Sequence, residues 1–262
     1  MDFPRGGLLQ AGDTRRAGER RMQIIPGMTT ICMLGLAALL ALGGCAGAGE
    51  PGNGGETGTM RFLALGDSYT IGEGVPEAER WPVQLVAMLR ERGVSIADPQ
   101  IIARTGWTTD ELSAAIDARD PQGPYDLVTL LIGVNNQYRG RDTANYRAEF
   151  GDLLRRAVGF AGGDASRVVV LSIPDWGVTS FAEGRDRAAI AAEIDAYNAI
   201  NREETEHAGA RYVDVTAQSR AAGAQPDFLA DDGLHPSGRS YTEWARLALP
   251  AALEVTQTTS AP

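Results

Sequence analysis

The stretch Arg-Phe-Leu-Ala-Leu-Gly-Asp-Ser-Tyr-Thr, residues 61–70, joins an apolar run to a turn that carries a serine. Residues 62–65 contain no polar side chain, which is typical of a strand buried on both faces of a sheet. Gly66 and Asp67 are turn-forming residues and end the run. Ligands bind at the carboxyl edge of parallel α/β sheets, so Ser68 is a candidate nucleophile by position. Taken alone, the stretch fits equally well an ordinary strand-to-helix turn with a capping serine.

Beyond this stretch, strand-like runs alternate with segments of helical periodicity. Such alternation indicates parallel βαβ units joined by right-handed crossovers. The run 127–132 has no charged residue, so we predict it as a central strand. The pattern predicts a single three-layer α/β domain over residues 61–255, with a tail at 256–262. The predicted strands are 62–65, 100–103, 127–132, 167–173 and 211–215, and the predicted helices are 81–92, 109–118, 144–160, 185–207 and 237–253.

The composition limits the possible function classes. With 262 residues, 44% of them hydrophobic, the chain can bury one sizeable core. Its net charge of −10 argues against nucleic-acid binding, which needs a basic face. Every basic residue is an arginine, so the chain has no Schiff-base lysine, no P-loop lysine and no Ser-x-x-Lys nucleophile.

The N-terminal segment has the pattern of an export signal. A basic region, residues 1–27, precedes an apolar run at 31–42 that is shorter than the ~20 residues of a membrane-spanning helix. The run closes on Leu-Gly-Gly-Cys, which resembles a bacterial lipoprotein lipobox and implies a secreted protein, lipid-anchored to the membrane at Cys45. The alternative is a plain signal anchor in which Cys45 is incidental. The glycine-rich residues 46–60 then predict a flexible tether that spans roughly 20 Å.

Neither a metal nor a cofactor is expected. Cys32 and Cys45 are the only cysteines, and both lie in the N-terminal segment, so no internal disulfide framework or thiolate metal site is predicted. The turn 72–74 reads Gly-Glu-Gly. Because it lacks a third glycine and carries an acid, it disfavours a phosphate cradle and thus a flavodoxin-like cofactor binder.

A serine nucleophile needs a base, and the chain offers only two histidines. His235 follows the last predicted strand in a loop bounded by glycine and proline, and such a loop can reach the edge that carries Ser68. Asp232 lies three residues upstream, close enough to accept a hydrogen bond from the ring and fix its tautomer. A surface histidine in a turn is the alternative interpretation of His235. His207 ends a predicted helix, where it complements the helix dipole, and we interpret it as structural.

Two further loops at the same edge offer donors for an oxyanion. Gly106 follows the second predicted strand and permits close approach of a backbone N–H to a ligand. Asn135 follows the third predicted strand and carries a side-chain amide. Glycine and asparagine are common in loops, so their placement after successive strands is the stronger observation.

Together, four stretches resemble the SGNH hydrolases, also called GDSL esterases and lipases. Gly-Asp-Ser at 66–68 matches the first block of that family and Gly106 the second. Gly-Val-Asn at 133–135 matches the third block, and Asp-Gly-Leu-His at 232–235 matches the last. No single block is specific, whereas the ordered set of four is, and it covers roughly residues 61–250.

The resemblance implies a fold, a mechanism and a set of site residues. The fold would be a flavodoxin-like three-layer α/β/α sandwich, with a five-stranded parallel sheet in the order 2-1-3-4-5. Ser68 would be the nucleophile, His235 the base and Asp232 the residue that orients it. The oxyanion hole would comprise the backbone N–H groups of Ser68 and Gly106 and the side chain of Asn135.

The chain departs from the family pattern at two positions. Tyr69 follows the serine where many members have leucine, which we expect to be harmless. Asn136 stands where the third block usually has an aspartate. The amide of Asn135, expected in the oxyanion hole, is kept. Whatever role the aspartate has in other members of the family is put in question for this chain.

These observations favour an ester hydrolase that acts through an acyl-enzyme on a small-molecule ester, with short-chain or carbohydrate esters as the expected substrates. Charged residues in the predicted loops suggest a polar rim without a lipase lid, and a monomer is expected. Tyr138 and Trp176 are candidates for the pocket, although Trp176 fits the core equally well. The alternatives are a lysophospholipase or thioesterase, and a non-catalytic carbohydrate- or lipid-binding lipoprotein of the same fold. The complete set of four blocks argues against the non-catalytic alternative.

Overall fold

The computed structural model describes residues 58–259, with side chains through residue 256. The predicted signal, the lipobox with Cys45 and most of the predicted tether lie outside the described residues. No helix in the described range is both long and apolar enough to cross a membrane.

The centre of the domain is a parallel sheet of five strands in the order β2-β1-β3-β4-β5, as predicted. All residues of β1, β3 and β4 are buried, which accounts for their nearly unbroken apolar sequences. Gly66 at the end of β1 is in register with Ala103 of β2 and Leu131 of β3. The segments that follow these three strands therefore begin at the same edge of the sheet. The strands are β1 Phe62–Gly66, β2 Gln100–Ala103, β3 Leu127–Leu131, β4 Val168–Leu171 and β5 Arg211–Val213.

Eight α-helices surround the sheet within the described residues. Five of them lie where the sequence predicted helices, and three short ones, α1, α4 and α7, were not predicted. Short 3-10 turns occur at 77–79, 165–167, 176–178, 180–182 and 226–228. The helices are α1 Ser68–Ile71, α2 Trp81–Glu91, α3 Thr109–Arg119, α4 Val134–Tyr138, α5 Thr143–Phe160, α6 Arg187–His207, α7 Thr216–Ala222 and α8 Gly238–Thr259.

The helices form two groups that sandwich the sheet. Helix α2 packs against α8, and α5 packs against both α3 and α6. Trp81 of α2 and Trp244 of α8 are among the largest fully buried side chains. The three-layer α/β/α architecture predicted from the sequence is thereby confirmed.

The last helix is longer than the sequence predicted. It continues through Pro250 to Thr259, whereas the prediction ended it near Leu253 and assigned 256–262 to a tail. Ala248, Ala252 and Val255 are buried at helical spacing. Because this apolar face continues past the proline, packing against the core keeps the helix going.

Candidate active site

A cavity of about 200 Å³ opens at the carboxyl edge of the sheet. It brings together the predicted nucleophile, base and oxyanion residues from four separate parts of the chain. Asp232 is not one of the lining residues, but its carboxylate bonds the ring of His235, which is. The residues that line it are Ser68, Tyr69, Thr105, Gly106, Val134, Asn135, Tyr138, Trp176, Phe181, Leu234 and His235.

Ser68 is the first residue of α1, directly after the turn that ends β1. Gly66 is required in that turn because a Cβ atom there would lie 2.5 Å from the carbonyl oxygen of Leu131. Asp67 caps α1 by accepting a hydrogen bond from the backbone N–H of Tyr69 at 3.0 Å. Complete burial raises the pKa of the Asp67 carboxyl to about 7, although backbone hydrogen bonds lower it. The turn thus presents Ser68 at the sheet edge on a fully buried support.

Asp232 and His235 form a compact pair. Oδ2 of Asp232 lies 2.6 Å from Nδ1 of His235, and Oδ1 accepts from the backbone N–H groups of Leu234 and His235 at 2.9 Å each. Burial raises the pKa of Asp232, but the hydrogen bonds from His235 and Leu234 outweigh it and lower the pKa. With Nδ1 held by the carboxylate, Nε2 is the ring nitrogen left for proton transfer. Asp231, the neighbouring acid, is exposed.

The loop that carries His235 is braced by the segment after β4. The carbonyl oxygen of Gly233 accepts hydrogen bonds from Oγ of Ser180 and from the backbone N–H of Phe181, each at 3.0 Å. Gly233 has a φ of +69°, and a Cβ atom there would lie 2.4 Å from Oγ of Ser180. Only glycine fits this position, because both its backbone conformation and its neighbour exclude a side chain.

The oxyanion side is held by two consecutive asparagines on α4. Asn135 donates one Nδ2–H to the carbonyl oxygen of Trp107 at 2.9 Å, which leaves its second amide hydrogen for a ligand. Asn136 is fully buried; its Oδ1 accepts from the backbone N–H of Thr109 at 3.1 Å, and its Nδ2 donates to Oγ of Thr109 at 2.6 Å. Both side chains thereby fasten the loop that contains Gly106. The sequence predicted a plain loop here, because five helical residues are too few to show periodicity.

This arrangement explains why Asn136 can replace the aspartate usual at that position. Oγ of Thr109 donates its hydrogen to the carboxylate of Glu149 and therefore needs a donor in return. The amide of Asn136 supplies that donor, whereas an ionised carboxylate could not. The residue at 136 acts here as a brace between α4 and α3.

Three aromatic side chains, Tyr138, Trp176 and Phe181, form one wall of the cavity, which we call the aromatic wall. The ring of Trp176 meets those of Tyr138 and Phe181 edge to face, with centroids 5.4 and 6.0 Å apart. Nε1 of Trp176 donates to Oε1 of Gln137 at 2.8 Å, which fixes the ring. Tyr138 is 48% exposed and Phe181 39% exposed, so the rim on this side is partly aromatic and not wholly polar as expected. Phe181 was not predicted as a pocket residue, because its only signal in the sequence is an apolar aromatic side chain in a loop after β4.

The second histidine is not part of the cavity. His207 is the last residue of α6 and is exposed, in the position that the sequence predicted. It lines a separate groove between α5 and α6. Among residues 58–259, no group of three or more His, Cys, Asp or Glu side chains is placed to hold a metal ion.

Several solved structures share this fold. TesA superposes with a TM-score of 0.59 at 17% sequence identity, over 74% of this chain and 99% of its own. The acetylxylan esterase Axe2 from Geobacillus stearothermophilus gives 0.55 at 19% identity, over 74% and 94%. The esterase EstA from Pseudoalteromonas sp. gives 0.54 at 15% identity, over 76% and 95%. At these identities the likeness establishes the fold. No curated protein sequence matches the chain.

The sequence itself establishes the family. The family model of the GDSL-like lipases and acylhydrolases matches residues 64–242, more than half of the chain. The match begins before Ser68 and ends after His235, so it includes all four stretches that converge on the cavity. The chain therefore belongs to the GDSL-like lipase/acylhydrolase family and is a carboxylic ester hydrolase.

Proposed function

We propose that this protein hydrolyses short-chain or carbohydrate esters through an acyl-enzyme on Ser68, with His235 as the base and Asp232 as its orienting carboxylate. The observation that carries the proposal is the convergence of Ser68, Gly106, Asn135 and the bonded Asp232–His235 pair on one cavity. A binding protein has no need of all these groups at one place.

The steps of ester hydrolysis follow from which groups of the site can give and take a proton. Oγ of Ser68 attacks the ester carbonyl carbon while Nε2 of His235 takes the hydroxyl proton. The tetrahedral intermediate collapses, and the alcohol leaves with the proton from His235. A water molecule then attacks the acyl-enzyme while His235 takes its proton. The second intermediate collapses, His235 returns the proton to Oγ of Ser68, and the acid is released. The carboxylate of Asp232 accepts the hydrogen on Nδ1 and so keeps the ring in the tautomer whose Nε2 can take a proton. It also stabilises the imidazolium that forms when Nε2 has taken that proton.

The oxyanion of each intermediate is bound by three donors. They are the backbone N–H groups of Ser68 and Gly106 and the second amide hydrogen of Asn135. Gly106 has a φ of +87°, which favours glycine and leaves its backbone open to a ligand. Donors already fixed before the reaction stabilise developing charge without reorganisation.

The size of the cavity supports small substrates. Its volume of about 200 Å³ is below the roughly 300–1,000 Å³ of pockets that take drug-sized ligands. The fold is shared with an acetylxylan esterase, which is consistent with a small acyl group on a carbohydrate. We expect hydrolysis to fall steeply from acetate and butyrate esters to palmitate esters. A rate that rises with chain length would instead favour a lysophospholipase or thioesterase, the second candidate, which the exposed aromatic wall also accommodates.

A fluorophosphonate probe together with Ser68→Ala tests the proposal. The wild-type protein should be labelled and should hydrolyse 4-nitrophenyl acetate. Ser68→Ala should lose labelling and about 10⁶ in kcat, the order expected when a triad nucleophile is removed. Ser95→Ala, at an exposed serine that does not line the cavity, should still be labelled. An unlabelled, inactive wild-type protein would favour a non-catalytic binding lipoprotein.

The proposal places the enzyme outside the cytoplasmic membrane as a monomer, anchored by lipid at Cys45. The location and the anchor are supported by the sequence pattern at 31–45 alone. A lipoprotein cysteine with several acyl chains holds a protein firmly, whereas one chain holds it weakly. Cys45→Ala should release the protein from the membrane fraction or block its maturation, and unchanged partition would contradict lipidation.

A further inference from the structure

Arg185 lies against the aromatic wall of the cavity. Its guanidinium carbon is 5.4 Å from the ring centroid of Tyr138, 5.3 Å from that of Trp176 and 5.2 Å from that of Phe181. One of its N–H groups donates to the hydroxyl of Tyr138 at 3.2 Å. Cations within about 6 Å of an aromatic centroid are attracted by the ring. Three such contacts and one hydrogen bond fix this cation against the aromatic wall; Arg185 itself is not one of the residues that line the cavity.

Within residues 58–259, no carboxylate lies at ion-pair distance from the guanidinium of Arg185. The adjacent Asp186 is engaged elsewhere, because it caps α6 by accepting from the backbone N–H of Ala189 at 3.0 Å. By contrast, Arg141 on the oxyanion side pairs with Asp110 at 2.6 Å. Most N–H donors of Arg185 are therefore open to a ligand.

The geometry favours an anionic ligand over a stacked neutral sugar. The guanidinium lies over one face of Tyr138, Trp176 and Phe181, and a sugar ring would have to displace it to stack on that face. The groups that remain free to bind a ligand are instead N–H donors of the planar guanidinium, whose geometry matches a carboxylate or a phosphate. A chain with a net charge of −10 repels anions in general, so a local cation is needed to hold one.

We propose that Arg185 and the aromatic wall form an anion subsite that binds a carboxylate or phosphate group carried by the ester substrate. The inference rests on the proposed function and specifies its substrate class. Because the anion does not change charge during acyl transfer, binding it should be equal in the ground and transition states. The subsite should therefore lower KM for anionic esters and leave kcat nearly unchanged.

Matched ester pairs test the subsite and separate its two anion sources. The phosphate pair is 1-butyrylglycerol 3-phosphate against 1-butyrylglycerol, and the carboxylate pair is acetylated glucuronate against acetylated glucose. The wild-type enzyme should prefer the anionic member of at least one pair by about 10-fold in kcat/KM, as expected for a charge-assisted hydrogen bond. The pair that shows the preference identifies the anion. Equal rates within both pairs would overturn the proposal.

Arginine variants assign the preference to one residue. Arg185→Gln should abolish it through KM and Arg185→Lys should keep part of it, with the preference taken in each protein as the ratio of kcat/KM for the anionic ester to that for its neutral partner. Arg155→Gln removes the same charge from the exposed face of α5 and should leave the preference intact. A preference that survives Arg185→Gln, or that is lost equally in Arg155→Gln, would contradict the subsite.

A binding measurement keeps the subsite testable without turnover. Calorimetric titration of Ser68→Ala with 1-butyrylglycerol 3-phosphate and with acetylated glucuronate should show binding of at least one. Adding Arg185→Gln should weaken that binding about 10-fold, and raising the salt concentration should weaken it as well. Unchanged affinity in the double variant overturns the subsite. Hydrolysis of the neutral esters together with probe labelling would still uphold the proposed function, so the two can fail separately.

Discussion

The base side and the oxyanion side of the cavity are built in opposite ways. On the base side, Asp232 makes its hydrogen bonds to Leu234 and His235, all within four consecutive residues. On the oxyanion side, Asn135 and Asn136 bind residues 28 and 27 positions earlier in the chain. The bonds of the Asp232–His235 pair are thus local, whereas the oxyanion side exists only after β2 and β3 have each paired with β1.

This difference has a consequence for mutations. A change in a local motif should alter the chemistry and leave the domain stable, because few other elements depend on it. A change in the long-range contacts should alter stability as well, since the same bonds join α3, α4 and α5. Kinetic and stability measurements on the same variants can therefore separate the two sides.

The largest expected effect is on the base side. Asp232→Asn keeps the size of the side chain but no longer holds His235 in the required tautomer, so kcat should fall by about 10⁴. The free energy of unfolding should change little, because Asp232 is partly exposed. Steady-state kinetics and chemical denaturation of the same protein measure both quantities. Asp231→Asn is the matched control and should keep nearly full activity; equal losses at the two positions would refute the assignment.

The next effect is on the oxyanion side. Asn135→Ala removes a donor that strengthens as charge develops, so kcat should fall by about 10²–10³ while KM stays nearly unchanged. Asn136→Ala should lower both kcat and the free energy of unfolding, because it leaves Thr109 without its partner on α4. A rise in KM alone for Asn135→Ala would make that residue a substrate-binding group and remove the contrast between the two sides.

The smallest expected effect concerns Asp67, in the turn that lies between the two sides. Its pKa is raised from 3.8 to about 7, so the folded protein holds this proton more tightly than the unfolded chain does. Its contribution to stability is therefore fully present below about pH 4 and is lost as the pH rises to about 7. Between pH 5 and pH 8 the wild-type free energy of unfolding should fall by up to about 3 kcal/mol.

Asp67→Asn should remove this pH dependence. The amide oxygen can still accept from the backbone N–H of Tyr69, and the side chain no longer titrates. Denaturant titrations at pH 5 and pH 8 on both proteins measure the difference. The same fall in both proteins would show that another group is responsible.

Much of the fold could be predicted because its signals are local. Strand β2 was predicted at its observed bounds, and β1, β3 and α2 within one residue of theirs. The five residues of α4 were missed, since a single turn shows no periodicity. Helix α8 was predicted too short because Pro250 is a breaker by propensity, and only tertiary packing reveals that the helix continues.

The same distinction between local signals and tertiary contacts decides which parts of the site could be predicted. The motif from Asp232 to His235 could be interpreted from its spacing alone, and the predicted bond between the carboxylate and the ring is present; the two backbone N–H bonds to Asp232 were not predicted. The brace formed by Asn136 could not be foreseen, because its partner Thr109 lies on α3, far away in sequence, and Thr109 in turn bonds Glu149 of α5. The aromatic wall was equally hidden, since Phe181 and Tyr138 lie 43 positions apart and only the fold makes them neighbours.

The hydrogen bonds from Ser180 and Phe181 to Gly233 limit how new substrate specificity can evolve in this enzyme. Surface loops usually vary freely, so an enzyme can explore new substrates by changing them. Here the loop that supplies Phe181 to the substrate also supports the loop of the base. A substitution or insertion that reshapes the wall therefore risks moving His235. A change in substrate selectivity made in this loop is thus coupled to a change in catalytic rate. Variation at Tyr138, on the opposite side of Trp176, carries no such cost and is the freer route to a new substrate range.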